Sequence, residues 1–197
     1  MRLLLFILSM TVLSNTFAKN LPIAHRGASA YAPENTLVAI QKAIDLGIKH
    51  IEIDVHMTKD GHIVAIHDAT INRTSSAQGK VSEYTLSELK NLDFGSWFDN
   101  KFEHEKIPTL SEIFDILSHD QVLIIELKYG GDHYQDIEKR IIEVIINKNK
   151  SDQVILKSFN MKILKIFETI APKIKRLYCT FWGNDLFTID DFFRFKG

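Results

Sequence analysis

Along the chain, short apolar runs alternate with longer stretches whose apolar residues recur at helical spacing. The runs at 21–25, 51–55, 63–67, 122–128, 154–159 and 176–181 have the length of strands. Residues 36–46, 110–117, 137–146 and 161–170 instead carry the three-and-four-residue period of amphipathic helices. Strand followed by helix, repeated, is the rhythm of a parallel sheet, and five main strands can be counted in it. The run at 63–67 is set apart from these, because Asp60-Gly61 before it favours the tight turn of a hairpin.

Helix limits follow from residue chemistry. Asn35 is expected to cap the helix over 36–46 and Gly47 to end it, while Ser111 with Glu112 opens the helix over 110–117. Residues 69–107 break the rhythm with polar, turn-rich and aromatic sequence, which predicts an insertion or lid over one end of the sheet. Its Phe94, Trp97, Phe98 and Phe102 are expected to form the lid's own small core, the alternative being contact with acyl chains.

The first eighteen residues follow a different logic. A basic start, an apolar run over 3–13 and small residues at Thr16 and Ala18 form the pattern of a secretory signal peptide, 1–18, cleaved after Ala18. The run is shorter than the roughly 20 apolar residues of a spanning helix, so no stable membrane span is expected. The remainder, 19–197, is then an exported domain destined for the periplasm, cell surface or medium. Cys179 is the only cysteine, which excludes an internal disulfide and reads as a buried, inert thiol. The formal net charge of -1, with basic residues scattered among acidic ones, leaves no electrostatic footprint for nucleic acid. Nothing in the sequence sets the oligomeric state.

Candidate chemistry sits at the strand ends. Over 51–55 the side chains alternate, so Ile51, Ile53 and Val55 face one way while Glu52 and Asp54 share the other face. Glu126 repeats the device inside the apolar run 122–128, with Lys128 on the same face. In parallel strands these three carboxylates converge at the C-terminal end, where α/β folds place their sites. Such a group repels itself unless a cation sits among its members, and an oxygen-only set favours a hard ion, Mg²⁺ or Ca²⁺. The alternative is a set of structural salt bridges to Lys128 or Arg26.

His25 and Arg26 end one strand and His67 and Asp68 another, so both histidines are expected at the same mouth. Two histidines beside a metal suit phosphoryl transfer, one taking a proton and the other giving one. His56 shares the face of Glu52 and Asp54 and is expected to support the site rather than bind within it. His50, His62, His104, His119 and His133 read as structural or exposed.

Together, His25-Arg26-Gly27, Pro33-Glu34-Asn35-Thr36, Glu52-Ile53-Asp54-Val55, Thr58-Lys59-Asp60-Gly61, His67-Asp68, Arg73-Thr74, Ile107-Pro108-Thr109-Leu110, Glu126-Leu127-Lys128 and Ser158-Phe159 resemble, in order and spacing, the glycerophosphodiester phosphodiesterase family. The resemblance implies an α/β fold, a (β/α)₈ TIM-barrel with a small insertion after the second strand. It implies three further strand–helix units after the strand near Cys179, so the chain reads as a barrel truncated C-terminally. Its last residues, with Phe187, Ile189, Phe192, Phe193 and Phe195, would need cover.

The implied activity is hydrolysis of a small-molecule phosphodiester to glycerol 3-phosphate and an alcohol, the glycerol hydroxyl or water attacking phosphorus. By position, His25 and His67 become the acid/base pair, Glu52, Asp54 and Glu126 the ligands of one divalent cation, and Arg26 and Lys128 phosphate or site partners. Two other functions fit the same residues. One is cleavage of lysophospholipids or sphingolipids; the other is a non-catalytic exported protein that binds metal.

Overall fold

The structure is a computed structural model that describes residues 22–179 and the short strand 187–188. The expected leader over 1–18 and the tail residues Ile189, Phe192, Phe193 and Phe195 lie outside the described residues.

The strands are β1 (Ile23–His25), β2 (His50–Met57), β3 (Ile63–Ala65), β4 (Val122–Leu127), β5 (Val154–Ser158), β6 (Lys175–Tyr178) and β7 (Phe187–Thr188). They form one sheet in the order β1-β2-β4-β5-β6-β7, with β3 attached to β2. The pairs along β1-β2-β4-β5-β6 are all parallel, as the strand–helix alternation predicts. β3 is antiparallel to β2, and the connection turns at Gly61, whose φ of 84° suits the hairpin. β3 stops at Ala65, short of the run predicted to His67, although the Ile66 amide still reaches the Asp54 carbonyl of β2 at 3.0 Å.

The helices are α1 (Leu37–Asp45), α2 (Leu86–Asn91), α3 (Leu110–Ile116), α4 (Ile137–Asn147) and α5 (Met161–Ile170). Two of their starts differ from expectation. Thr36, not Asn35, caps α1 by accepting the Ala39 amide, and Thr109, not Ser111, caps α3 in a reciprocal box with Glu112. Asn35 fails as a cap because its amide is committed to Asp54.

Period-two alternation divides the sheet into two faces. Ile51, Ile53, Val55, Leu123, Ile125, Leu127, Val154 and Leu156 pack beneath Ile40, Ile113, Phe114, Ile141, Ile145, Leu164 and Phe167 of the helices. Each such side chain contributes about 1.5–3 kcal/mol on burial. That core anchors the sheet from one side, so Glu52, Asp54, His56 and Glu126 are held on the opposite face. Residues 69–107 carry a second core, in which Ile71, Val81, Leu89, Phe94 and Ile107 pack on Val64 and Ile66. Of the insertion's aromatics, Phe94 is buried there, while Trp97, Phe98 and Phe102 stack edge to face with centroids 5.7 Å apart.

Candidate active site

Strand register assembles the site. In the parallel ladders His25 lies opposite Glu52, and Asp54, Glu126 and Lys157 lie opposite one another across β2, β4 and β5. Residues in register on neighbouring strands point to the same face, so side chains from four strands converge. Oxygens of Glu52, Asp54 and Glu126 come within 4.8 Å of one another, and all three residues are buried. Beside them His25, Arg26, His67, Lys128, Tyr129, Phe159 and Asn160 line a cleft of about 490 Å³. Every residue singled out from the sequence as a site candidate is therefore at this one place.

The turn after β1 is built for close approach. Arg26 and Gly27 both have positive φ, and a Cβ on Gly27 would lie 2.8 Å from the Ala39 carbonyl carbon of α1. This turn aims the Arg26 amide at Glu52 Oε2, 3.1 Å away, and brings His25 Nε2 to 3.8 Å from the same oxygen. Asn35, also at positive φ, donates its side-chain N–H to Asp54 Oδ2 and accepts the Asp54 amide, both at 3.1 Å. Asp54 is thus oriented by a residue that the helix signals assigned to capping.

The salt-bridge alternative is realised in part. Lys128 Nζ lies 3.0 Å from Asp54 Oδ1 and 3.7 Å from Glu126 Oε1, and Arg26 Nε lies 3.3 Å from Asp54 Oδ2. Lys157, which the sequence reading passed over, makes the tightest pairs, 2.8 Å to Glu52 and 2.6 Å to Glu126. Burial alone would lower the Lys157 ammonium pKa, but Glu52 and Glu126 outweigh it and hold it above the ordinary lysine value. Burial and the charge of Asp54 raise Glu52 despite Lys157. For Asp54 burial is more than offset by Lys128 and Asn35, and its carboxyl stays below the usual range.

Asp54 Oδ1 and Glu126 Oε1 are buried and are met by the Lys128 ammonium, at 3.0 and 3.7 Å, without a well-aligned hydrogen bond among the described residues. Three buried carboxylates that converge as an oxygen-only set fit a single hard divalent cation.

His67 is held at its ring. Its Nδ1 lies 2.6 Å from Asp68 Oδ1, and Asp68 also accepts Arg73 Nε at 2.8 Å. Burial opposes ionisation of Asp68, but Arg73 and His67 win and bring its pKa down to about 2. Arg73 continues to Glu34 through two bonds of 2.8 and 3.0 Å, and Glu34 also receives Arg26 Nη1 at 3.0 Å. An ionic chain therefore ties the loop bearing His25 to the loop bearing His67. His56 is 1% exposed and lies behind the cleft.

The profile of the Glycerophosphoryl diester phosphodiesterase family matches residues 25–184. A glycerophosphodiester phosphodiesterase of Caldanaerobacter subterraneus is 45% identical over 158 residues, 80% of this chain and 65% of that protein. A phosphodiesterase of Oleispira antarctica, solved in complex with the product sn-glycerol-3-phosphate, superposes with a TM-score of 0.74 at 38% identity, covering 79% of this chain and 65% of that one. A glycerophosphodiester phosphodiesterase of Agrobacterium tumefaciens gives 0.71 at 32% identity, covering 78% and 64%. The chain spans about 65% of the length of such relatives. With these structures it shares the (β/α)₈, TIM-barrel type of fold, to which the described residues contribute five parallel strands.

Proposed function

The chain belongs to the glycerophosphoryl diester phosphodiesterase family, and from that premise we propose that it hydrolyses glycerophosphodiesters to glycerol 3-phosphate and an alcohol. The observation that carries the proposal is the buried trio Glu52, Asp54 and Glu126, with oxygens within 4.8 Å of one another, of which Asp54 and Glu126 line a cleft together with two histidines. These carboxylates would hold one divalent cation, Mg²⁺ or Ca²⁺. When bound, such an ion supplies Lewis-acid polarisation of a phosphoryl oxygen.

The chain's own groups do the rest. Arg26 and Lys128 meet the phosphate oxygens with charge-assisted bonds. One of His25 and His67 takes the proton of the attacking hydroxyl, and the other returns a proton to the leaving oxygen as the phosphorus–oxygen bond breaks. The Asp68 carboxylate accepts from Nδ1 of His67, which leaves Nε2 for that transfer. Attack by the neighbouring glycerol hydroxyl, then opening of the cyclic phosphate by water, would gain from proximity. Phe94, Trp97, Phe98 and Phe102 do not line the cleft, which favours a short headgroup ester over an acyl-bearing substrate.

The test is release of glycerol 3-phosphate from glycerophosphocholine by the purified protein with excess Mg²⁺ or Ca²⁺. Chelator, Glu52→Gln and His25→Ala should each abolish it. No release from a folded sample that still binds the ion would sink the hydrolytic reading and leave a metal-binding protein. Export through residues 1–18 is proposed with it, and a mature N-terminus at Lys19 is the expected readout.

A further inference from the structure

We propose that His56, paired with Tyr134, is a positioning residue that fixes the main chain of His67 so that its imidazole enters the cleft in one orientation. His56 is 1% exposed and Tyr134 7%, and neither belongs to the cleft lining. His56 Nδ1 lies 2.7 Å from the Tyr134 hydroxyl and Nε2 lies 3.2 Å from the His67 carbonyl oxygen. A carbonyl can only accept, so Nε2 carries the proton and Nδ1 accepts from the tyrosine. Both ring nitrogens are then satisfied in a single neutral tautomer.

The location makes this more than a filled space. Ile66 gives its amide to the Asp54 carbonyl at 3.0 Å, and one residue later His56 grips the carbonyl of His67. Two consecutive residues leaving β3 are therefore tied to β2, the strand that carries Glu52 and Asp54. The His67 ring is tied separately through Asp68. Tyr134 brings in the loop after β4, whose Tyr129 lines the cleft with its ring 5.7 Å from that of His56. A phenylalanine of similar shape would pack here without two buried hydrogen bonds, so packing alone does not account for a histidine at this point.

The inference rests on the reading of His67 as an acid/base group, and the experiment keeps the two apart. The metal-loaded full chain and its His56→Phe, His56→Gln and Tyr134→Phe variants are compared by kcat and KM on glycerophosphocholine and by the His67 ring resonances of histidine-labelled protein. A side-chain amide can restore the donor to the His67 carbonyl, whereas phenylalanine cannot. His56→Phe should lower kcat about 10- to 100-fold with KM little changed, the scale expected when a reacting group is misplaced. Its His67 signal should broaden or split, His56→Gln should recover most of both, and Tyr134→Phe should fall between. A sharp, unshifted His67 signal with unchanged kcat in His56→Phe overturns the proposal even if its melting temperature drops. Where no variant or parent turns over, the resonances alone decide, and hydrolysis fails without positioning failing with it. Should His56→Phe not fold, an unaltered His67 signal in Tyr134→Phe overturns the proposal.

Discussion

At the scale of single residues, Lys157 holds the same carboxylates that the proposed cation would bind. Its ammonium pairs with Glu52 at 2.8 Å and Glu126 at 2.6 Å, so a divalent ion bound by the same carboxylates would compete with a positive charge that already neutralises them. A charge-assisted bond is worth about 1.5–3 kcal/mol, and Lys157→Gln should therefore raise Mg²⁺ or Ca²⁺ affinity by about tenfold or more. Isothermal titration of the two proteins measures this; weaker binding by the variant would mean that the lysine helps hold the ion's charge environment instead. Asn35 acts in the opposite sense, since both of its bonds orient Asp54. Asn35→Ala leaves a buried amide and a carboxylate oxygen short of partners, and urea unfolding should show a loss of about 1–3 kcal/mol. Neither role was legible in the sequence. A lysine in an alternating strand reads as solvated, and an asparagine before a helix reads as a cap. Glu52, Asp54 and Glu126 were legible because acidic residues inside apolar strands demand a partner.

Elements show where local signals suffice. The spans of α4 and α5 follow their apolar period almost to the residue, because one face of each packs on the sheet. The caps were displaced by one or two residues, since neighbouring cap-forming side chains, Asn35 and Thr36 before α1 and Thr109 and Ser111 at α3, compete for one role and sequence alone does not choose between them. Thr36→Ala should cost about 1 kcal/mol through the lost bond to the Ala39 amide. Gly27→Ala is a harsher change to the same β1–α1 connection. Its Cβ would meet the Ala39 carbonyl carbon at 2.8 Å at a φ of 76°, so turn or helix must move. The expected loss is about 1–3 kcal/mol, with weakened ion binding because the adjoining Arg26 amide is displaced from Glu52. Calorimetric melting and metal titration of both variants should show Thr36→Ala affecting stability alone and Gly27→Ala affecting both. The short helical turns within 69–107 had no periodic signal to announce them, because their core forms against β3 and Ile107 rather than along any one segment.

For the whole molecule, parallel pairing was implied by alternation, yet the meeting of groups from residues 25 to 157 depends on register that no local pattern encodes. The same convergence sets how stability responds to acid. Burial pushes the His56 pKa from 6.5 down to about 4, so below about 6.5 the unfolded chain takes up a proton that the folded one refuses. Stability therefore falls as pH drops from about 6.5 to about 4, by up to about 3 kcal/mol from this group. Glu52 works against the trend, since its raised pKa means that protonation relieves a strained charge in the folded state. Asp54 and Asp68 have lowered values, so what they contribute is present above the ordinary carboxylate pKa and is lost only in stronger acid, through about 2 for Asp68. Two separable phases should appear in urea unfolding followed from pH 7 to pH 2 with chelator present, which removes proton-linked ion release. In His56→Gln the first phase should flatten while the steeper second one persists. An unchanged slope between pH 6.5 and 4 in that variant would mean that a different group, not the buried imidazole, couples protons to folding there.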